Sequence, residues 1–250
     1  MELFLGFAIA VAISITGVGA GVITAPVLIL FFHLPPAQAV GTALAYSVAV
    51  KLLVVPMQLL RRQVHFRVLG YMLAGGLPGV LIGSTFLSIL NRQGRQGPLY
   101  AVLGSTIVVM AALNLYKVAA KRSPEAILDR SRWLPAVMLP IGAEVGFSSA
   151  GAGALGSLAL LSMTPLSATQ VVGTDLCFGL AVSLVGSGFQ FTAGNYAAAI
   201  LAKLIIGGVA GALIGTNIAA LAPQRVLRAV LSLWLVTLGI QLCWSGLTHG

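Results

Sequence analysis

Two glycine-rich stretches, TGVGAG from Thr16 to Gly21 and SSAGAG from Ser148 to Gly153, each interrupt a long apolar run, and they lie 132 positions apart. A helix broken inside a bilayer strands backbone N–H and C=O groups away from water. Such a break survives only where protein, water or a ligand satisfies those groups. A break written twice restricts the chain to folds that bury two discontinuous segments, and discontinuous segments at corresponding positions of two halves point to a transport site.

The duplication extends well beyond the breaks. Shifting the chain by 132 positions aligns Gly19–Gly83 with Gly151–Gly215 without a gap. About a third of the aligned pairs are identical, against roughly a tenth expected by chance in a chain so rich in Ala, Gly, Leu and Val. The strongest blocks are GAG with GAG, QAVGT (Gln38–Thr42) with QVVGT (Gln170–Thr174), and Gly75, Gly76, Gly79, Leu81, Ile82 and Gly83 with their counterparts between Gly207 and Gly215.

Only 8% of the residues are charged and 58% are hydrophobic, with a mean hydropathy of +1.03, which excludes a water-soluble domain. The net charge of +9 sits in short loops beside apolar runs, where positive-inside bias and anionic headgroups account for it. No basic patch with interleaved aromatics suggests nucleic acid. Cys177 and Cys243 both lie in apolar segments and lack the number and spacing of a disulfide framework or a thiolate metal site. The N-terminus lacks a positive n-region, and its apolar run belongs to the repeat, so it is expected to be retained.

The chain reads as a single all-α polytopic membrane domain over residues 1–250. It comprises a first four-segment repeat over about 1–119, a cytoplasmic linker at 120–132 and a second repeat over about 133–250. The apolar segments are Leu3–Leu34, Ala37–Leu60, Phe66–Leu90 and Pro98–Ala119, then Trp133–Met163, Ala168–Phe191, Ala197–Leu221 and Val226–Leu247. The first segment of each half is too long. Leu3–Leu34 would make a helix of roughly 45–50 Å against a hydrocarbon core of about 30 Å. Its glycines divide it into two pieces of roughly 20 Å, either a tilted broken helix crossing once or a re-entrant hairpin. One crossing makes the halves parallel; a hairpin makes them inverted. With Arg61–Arg67 and the linker on the cytoplasmic face, the hairpin also places Arg225 and Arg228 there, so the charge bias favours inverted repeats.

Helices restarting after Gly21 and Gly153 present N-terminal N–H groups and a positive dipole end at membrane depth, an arrangement suited to an anion. Gly17, Gly19, Gly21, Gly151 and Gly153 let an oxyanion approach the backbone, and Thr16, Thr24, Ser148 and Ser149 add hydroxyls. Close helix packing by small residues is the competing explanation, and the only one adopted for Gly75–Gly83 and Gly207–Gly215.

Intramembrane charge is scarce and by default functional. Lys51 lies in mid-segment, roughly 13 Å from the Arg61 end, too far for easy snorkelling, and its counterpart is Ser183. It is read as a counter-charge for the anion, with a structural ion pair as the alternative. Glu144 and Asp175, whose counterparts are Ala12 and Ala43, are candidate proton carriers or partners of Lys51; for Asp175 the alternative is that it reaches water or caps a neighbouring element. Thr42 and Thr174 are weaker binding candidates, Gln58 and Gln190 are assigned to helix association, and Lys203 to snorkelling.

The chain resembles the TauE/SafE group of sulfite and organosulfonate exporters, also called TSUP, over nearly its whole length. The resemblance rests on two related four-segment halves, the Gly17, Gly19, Gly21 and Pro26 tip, the QAVGT and QVVGT blocks, and the basic loop before His65 and Phe66. It departs at Ala20, where glycine is the expected residue. The resemblance implies a bacterial-type inner-membrane permease, an exporter of small sulfur oxyanions or sulfonates, with related members handling other small organic anions.

The expected function is thus a secondary transporter of a small anion working by alternating access, with proton or potential coupling, since no G-x-x-x-x-G-K-[ST] signature offers ATP. A channel or sensor built on the same bundle is the second hypothesis. An intramembrane enzyme is the third, and H-E-x-x-H and G-x-S-x-G motifs are both missing from the sequence. The implied partners are a small anion, membrane lipid and protons, with no cofactor and no metal. Helices apolar all round serve lipid and a second subunit equally well.

Overall fold

Each apolar run is long enough to be helical, and each loop carries the residues that stop one helix and start the next. The computed structural model describes residues 2–16, 20–93, 96–119, 129–218 and 224–248, which form ten α-helices, with no strand among them. They are α1 (Glu2–Thr16), α2 (Ala20–Phe32), α3 (Pro36–Leu60), α4 (Phe66–Arg92), α5 (Gln96–Ala119), α6 (Leu134–Ser148), α7 (Gly151–Met163), α8 (Ala168–Thr192), α9 (Ala198–Ile218) and α10 (Gln224–Thr248). A single 3-10 turn at Ser131–Trp133 leads into α6. The linker residues 120–128 and the tip residues Gly17 and Gly19 lie outside the described residues.

Local chemistry sets the boundaries. Pro36 occupies the first turn of α3, where its missing N–H costs no intrahelical bond. His65 caps α4, its Nδ1 accepting the Val68 N–H at 3.3 Å. Ser167 and Gln170 form a reciprocal capping box at the start of α8. α3 and α8 end alike: Gln63 N–H donates to the Gln58 carbonyl at 3.1 Å and Asn195 N–H to the Gln190 carbonyl at 2.9 Å. Closing that loop puts the preceding residue in the left-handed region, Arg62 at φ +52° and Gly194 at φ +74°.

Among the described residues α3, α4 and α8 are long and apolar enough to cross a membrane. α1 and α2 have 15 and 13 residues, as do α6 and α7, so each piece is roughly 20 Å long, short of the hydrocarbon thickness.

α3 and α8 run antiparallel through the centre. A Cβ added to Gly41, early in α3, would fall on the Asn195 carbonyl just past the end of α8. One added to Gly173, early in α8, would fall on the Gln63 carbonyl just past the end of α3. α5 and α10 are also antiparallel, with Gly104 against Gly239 and Cys243, and the Cys243 thiol donating to the Ala101 carbonyl at 3.6 Å. α4 and α6 instead run parallel and so close that Gly75, Gly79 and Gly83 lie directly on the carbonyls of Pro135, Leu139 and Ala143. Gly207 and Gly211 of α9 meet Leu3 and Phe7 of α1 in the same way. Between helices that lipid cannot drive together, backbone approach at small residues supplies the attraction.

The left-handed turn after α3 yields a stability prediction. An L side chain in that region costs roughly 1–2 kcal/mol relative to glycine, less the entropy glycine gains on unfolding. Arg62→Gly should therefore raise the thermal unfolding midpoint in detergent by about 2–4 °C, and Gly194→Arg should lower it. An unchanged midpoint in both variants would mean these turns are not strained.

Candidate functional site

The second break ends α6 by turning Ser149 into the left-handed region, φ +64°, while its N–H still donates to the Val145 carbonyl at 2.8 Å. Its counterpart is Gly17, the residue type that adopts this conformation most readily. Side chains take up the polar groups left at the break. Ser148 Oγ donates to Glu144 Oε1 at 2.5 Å and accepts the Ala150 N–H at 3.2 Å. The Thr106 hydroxyl of α5, which donates to the Leu103 carbonyl at 2.9 Å, lies beside the Glu144 carboxyl. Ser84 Oγ of α4 donates to the Gly146 carbonyl at 3.3 Å.

The start of α2 touches the second break. Ser149 Oγ donates to the Gly21 carbonyl at 3.1 Å, and a Cβ on Gly21 would fall on the Ser149 carbonyl. Any larger residue at position 21 would therefore drive the start of α2 away from the end of α6. Gly21, Thr24, Ser148 and Ser149 are all buried, and Gly153 is partly so. The Thr16 backbone ends α1, while the Thr16 side chain and the exposure of Gly151 fall outside the described residues.

The second cluster lies on the α3–α8 seam. Lys51 is 8% exposed although Leu52 and Leu53 beside it face outward. Its Nζ donates to Ser183 Oγ at 3.1 Å, and Ser183 Oγ donates in turn to Ser47 Oγ at 3.4 Å. Asp175, also buried, is near enough to act electrostatically on Lys51. Its Oδ1 rests against Gly156 of α7, where a side chain would collide with it. Gly156 is five residues past Gly151, so this carboxylate lies roughly 7 Å along α7 from the break. α7 thereby joins the charge cluster to the tip.

Thr42 and Thr174 are not brought to the tips. Thr42 Oγ1 accepts the Ala197 N–H at 3.0 Å and donates to the Gln38 carbonyl at 2.7 Å, while Thr174 Oγ1 accepts the His65 N–H at 3.0 Å. Each ties a long helix to the turn before α9 or α4, at opposite ends of the molecule. Gln190 accepts from Asn195 Nδ2 at 2.9 Å, and its own Nε2 is buried without a hydrogen-bond partner. Lys203, in the second turn of α9, is exposed.

Sequence reasoning did not single out Ser47 and Ser183 as the cage of Lys51. The signal was present, since Ser183 is the residue aligned with Lys51 across the repeat. Among the described residues no set of three His, Cys, Asp or Glu could hold a metal ion, and both cysteines are free thiols.

Comparison with known proteins agrees with a membrane carrier. The family model described as sulfite exporter TauE/SafE matches residues 3–242. Two Bacillus subtilis (strain 168) proteins, the probable membrane transporter proteins YjnA and YdhB, are each 24% identical to the chain. The YjnA alignment covers 96% of this chain and 98% of the relative; for YdhB the shares are 91% and 93%. No solved structure matches. A match from end to end of the apolar bundle means that the chain belongs to the sulfite exporter TauE/SafE family of membrane transporters.

Proposed function

We propose that the chain is a secondary transporter, working as an exporter, of a small sulfur-containing anion such as sulfite or an organosulfonate, with alternating access between two inverted halves. The observation that carries this reading is the meeting of the two broken helices at Gly21 and Ser149, one and a half turns of α7 from the Asp175–Lys51 cluster. Glycine backbone, hydroxyls and helix N-termini then face an anion, and Lys51 neutralises it. The residues assigned to the substrate are Thr16, Gly17, Gly19, Gly21, Thr24, Ser148, Ser149, Gly151, Gly153 and Lys51. Thr42 and Thr174 are assigned a supporting role in holding the helices that rock.

Three contacts support inversion. Equivalent helices α3 and α8 are antiparallel, as are α5 and α10. The chain entering α6 and the end of α7 are joined directly, Arg130 N–H donating to the Met163 carbonyl at 2.9 Å, which favours a re-entrant α6–α7 hairpin. A multi-pass bacterial inner-membrane protein with the linker in the cytoplasm follows from this reading.

Coupling is assigned to Asp175 and Glu144. While Asp175 is ionised it competes with the anion for Lys51; once it is protonated, Lys51 is left to the substrate, so anion and proton travel together, and net export follows where the outward anion gradient exceeds the opposing pH gradient.

Lys51→Met should lower sulfite or sulfonate flux into proteoliposomes at least tenfold at similar folded yield. Unchanged flux would remove Lys51 from the site. Asp175→Asn should keep anion exchange across vesicles with equal pH on both sides while losing accumulation driven by a pH gradient; gradient-driven uptake at the wild-type level would assign coupling elsewhere. With Cys177 and Cys243 replaced, single cysteines in the 61–67 and 192–196 loops should react with an impermeant maleimide from opposite faces of the membrane. Labelling from one face would overturn the inverted arrangement.

A further inference from the structure

Away from both breaks, a cavity of about 240 Å³ opens where the N-terminal ends of α4 and α6 lie side by side against the α7–α8 turn. It is lined by Arg67, Tyr71 and His65 from the start of α4, by Asp129 and Arg132 from the end of the linker, and by Leu166. The parallel, glycine-mediated packing of α4 on α6 is what brings Arg67 and Arg132 to one opening, although they are far apart in sequence. Phe66 and Trp133, each adjacent to one of these arginines, are 70% and 69% exposed. Aromatics displayed beside arginines are the usual marks of a membrane–water interface.

Asp129 is held in this opening. The Ser131 N–H donates to its Oδ1 at 3.0 Å, and that bond, followed by the Ser131 hydroxyl, keeps the carboxyl below the usual carboxylate range, with Arg67 and Arg132 contributing. The anchoring continues through Arg130, whose N–H is tied to Met163. Arg67 and Arg132 line the opening with one carboxylate, that of Asp129, leaving a net positive charge in an opening large enough for a tetrahedral oxyanion.

We propose that this cavity is a phosphate-type oxyanion site, in which Arg67 and Arg132 bind the anion together and Asp129 is the built-in competitor. Guanidinium forks match the oxygen geometry of phosphate, and a surface exposed to water and headgroups supplies that group in two forms. One is the headgroup of an anionic phospholipid, and the other is free phosphate. The proposal is separate from the transport site, because none of its residues belongs to the tips or to the Lys51 cluster.

Trp133 reports on the site when Trp234 and Trp244 are replaced by Phe. Detergent-purified protein is titrated at constant ionic strength with inorganic phosphate, and separately with short-chain phosphatidylglycerol or phosphatidylcholine. A saturable change in Trp133 fluorescence with phosphate or phosphatidylglycerol, and none with phosphatidylcholine, is expected. Saturation by phosphatidylglycerol alone identifies the lipid headgroup as the ligand, and saturation by inorganic phosphate identifies the free anion. Arg67→Gln and Arg132→Gln should each weaken binding about tenfold, and Asp129→Asn should tighten it several-fold. An unaltered titration in the doubly substituted Arg67→Gln, Arg132→Gln protein, or no saturable response to either probe, would overturn the proposal.

Discussion

A broken helix in an apolar medium exposes the last carbonyls of one piece and the first N–H groups of the next, and the arrangement of this molecule depends on how those groups are met. At the second break, Ser148 and Ser149 bond the chain locally and reach the Gly21 carbonyl of the other half. Glu144 accepts the Ser148 hydroxyl, and Thr106 of α5 lies beside Glu144. Three segments distant in sequence thereby meet at one point. The hydroxyls that satisfy the backbone at the break are the same ones the proposed function assigns to the anion.

Close backbone approach is the second constraint, and it explains the glycine content better than flexibility does. α6 lies on α4 through three glycines one turn apart, and α1 lies on α9 through two. These are the pieces too short to span alone, so each is carried by a longer neighbour. α3 and α8 at the centre are held differently, by a polar seam around Lys51 and by threonines that lock each helix to the turn beyond its partner. A glycine-rich contact tolerates almost no change in separation, whereas a hydrogen-bonded seam can exchange partners.

The two halves have exchanged chemistry while keeping shape. Thr24 and Ala43 in the first half correspond to Gly156 and Asp175 in the second, so bulk and polarity have moved from the broken helix to the spanning one. Tyr46 packs on Gly208 as Phe178 packs on Gly76, but only Tyr46 has a hydroxyl, which donates to the Gly6 carbonyl at 2.8 Å. Lys51 pairs with its own counterpart, Ser183, which places this cation on the seam between α3 and α8. Lys51 lies in the first half and Asp175 in the second, and duplicating Lys51 would set two cations against each other on the seam.

The helical class and the segment limits were legible in the sequence, because apolar run length, proline and glycine act locally and need no partner to be read. The second break was not placed so well: it falls at Ser149 and Ala150, and the chain is already helical at Gly153, as it is at Gly21, instead of restarting after these glycines. That Lys51, Glu144 and Asp175 stand inside apolar runs was legible too, and charge there is costly wherever the run packs. What those groups touch was decided by tertiary structure alone. That Ser149 meets Gly21, that Asp175 rests on Gly156, and that Thr42 and Thr174 face the turns rather than the tips all depend on how far apart the helices lie and on their relative direction. The cavity between Arg67 and Arg132 belongs to the same class, because no local pattern says that α4 and α6 start side by side. Local sequence governs where a helix begins and ends; the glycines and the seam govern which surfaces meet, and the site is made of those surfaces.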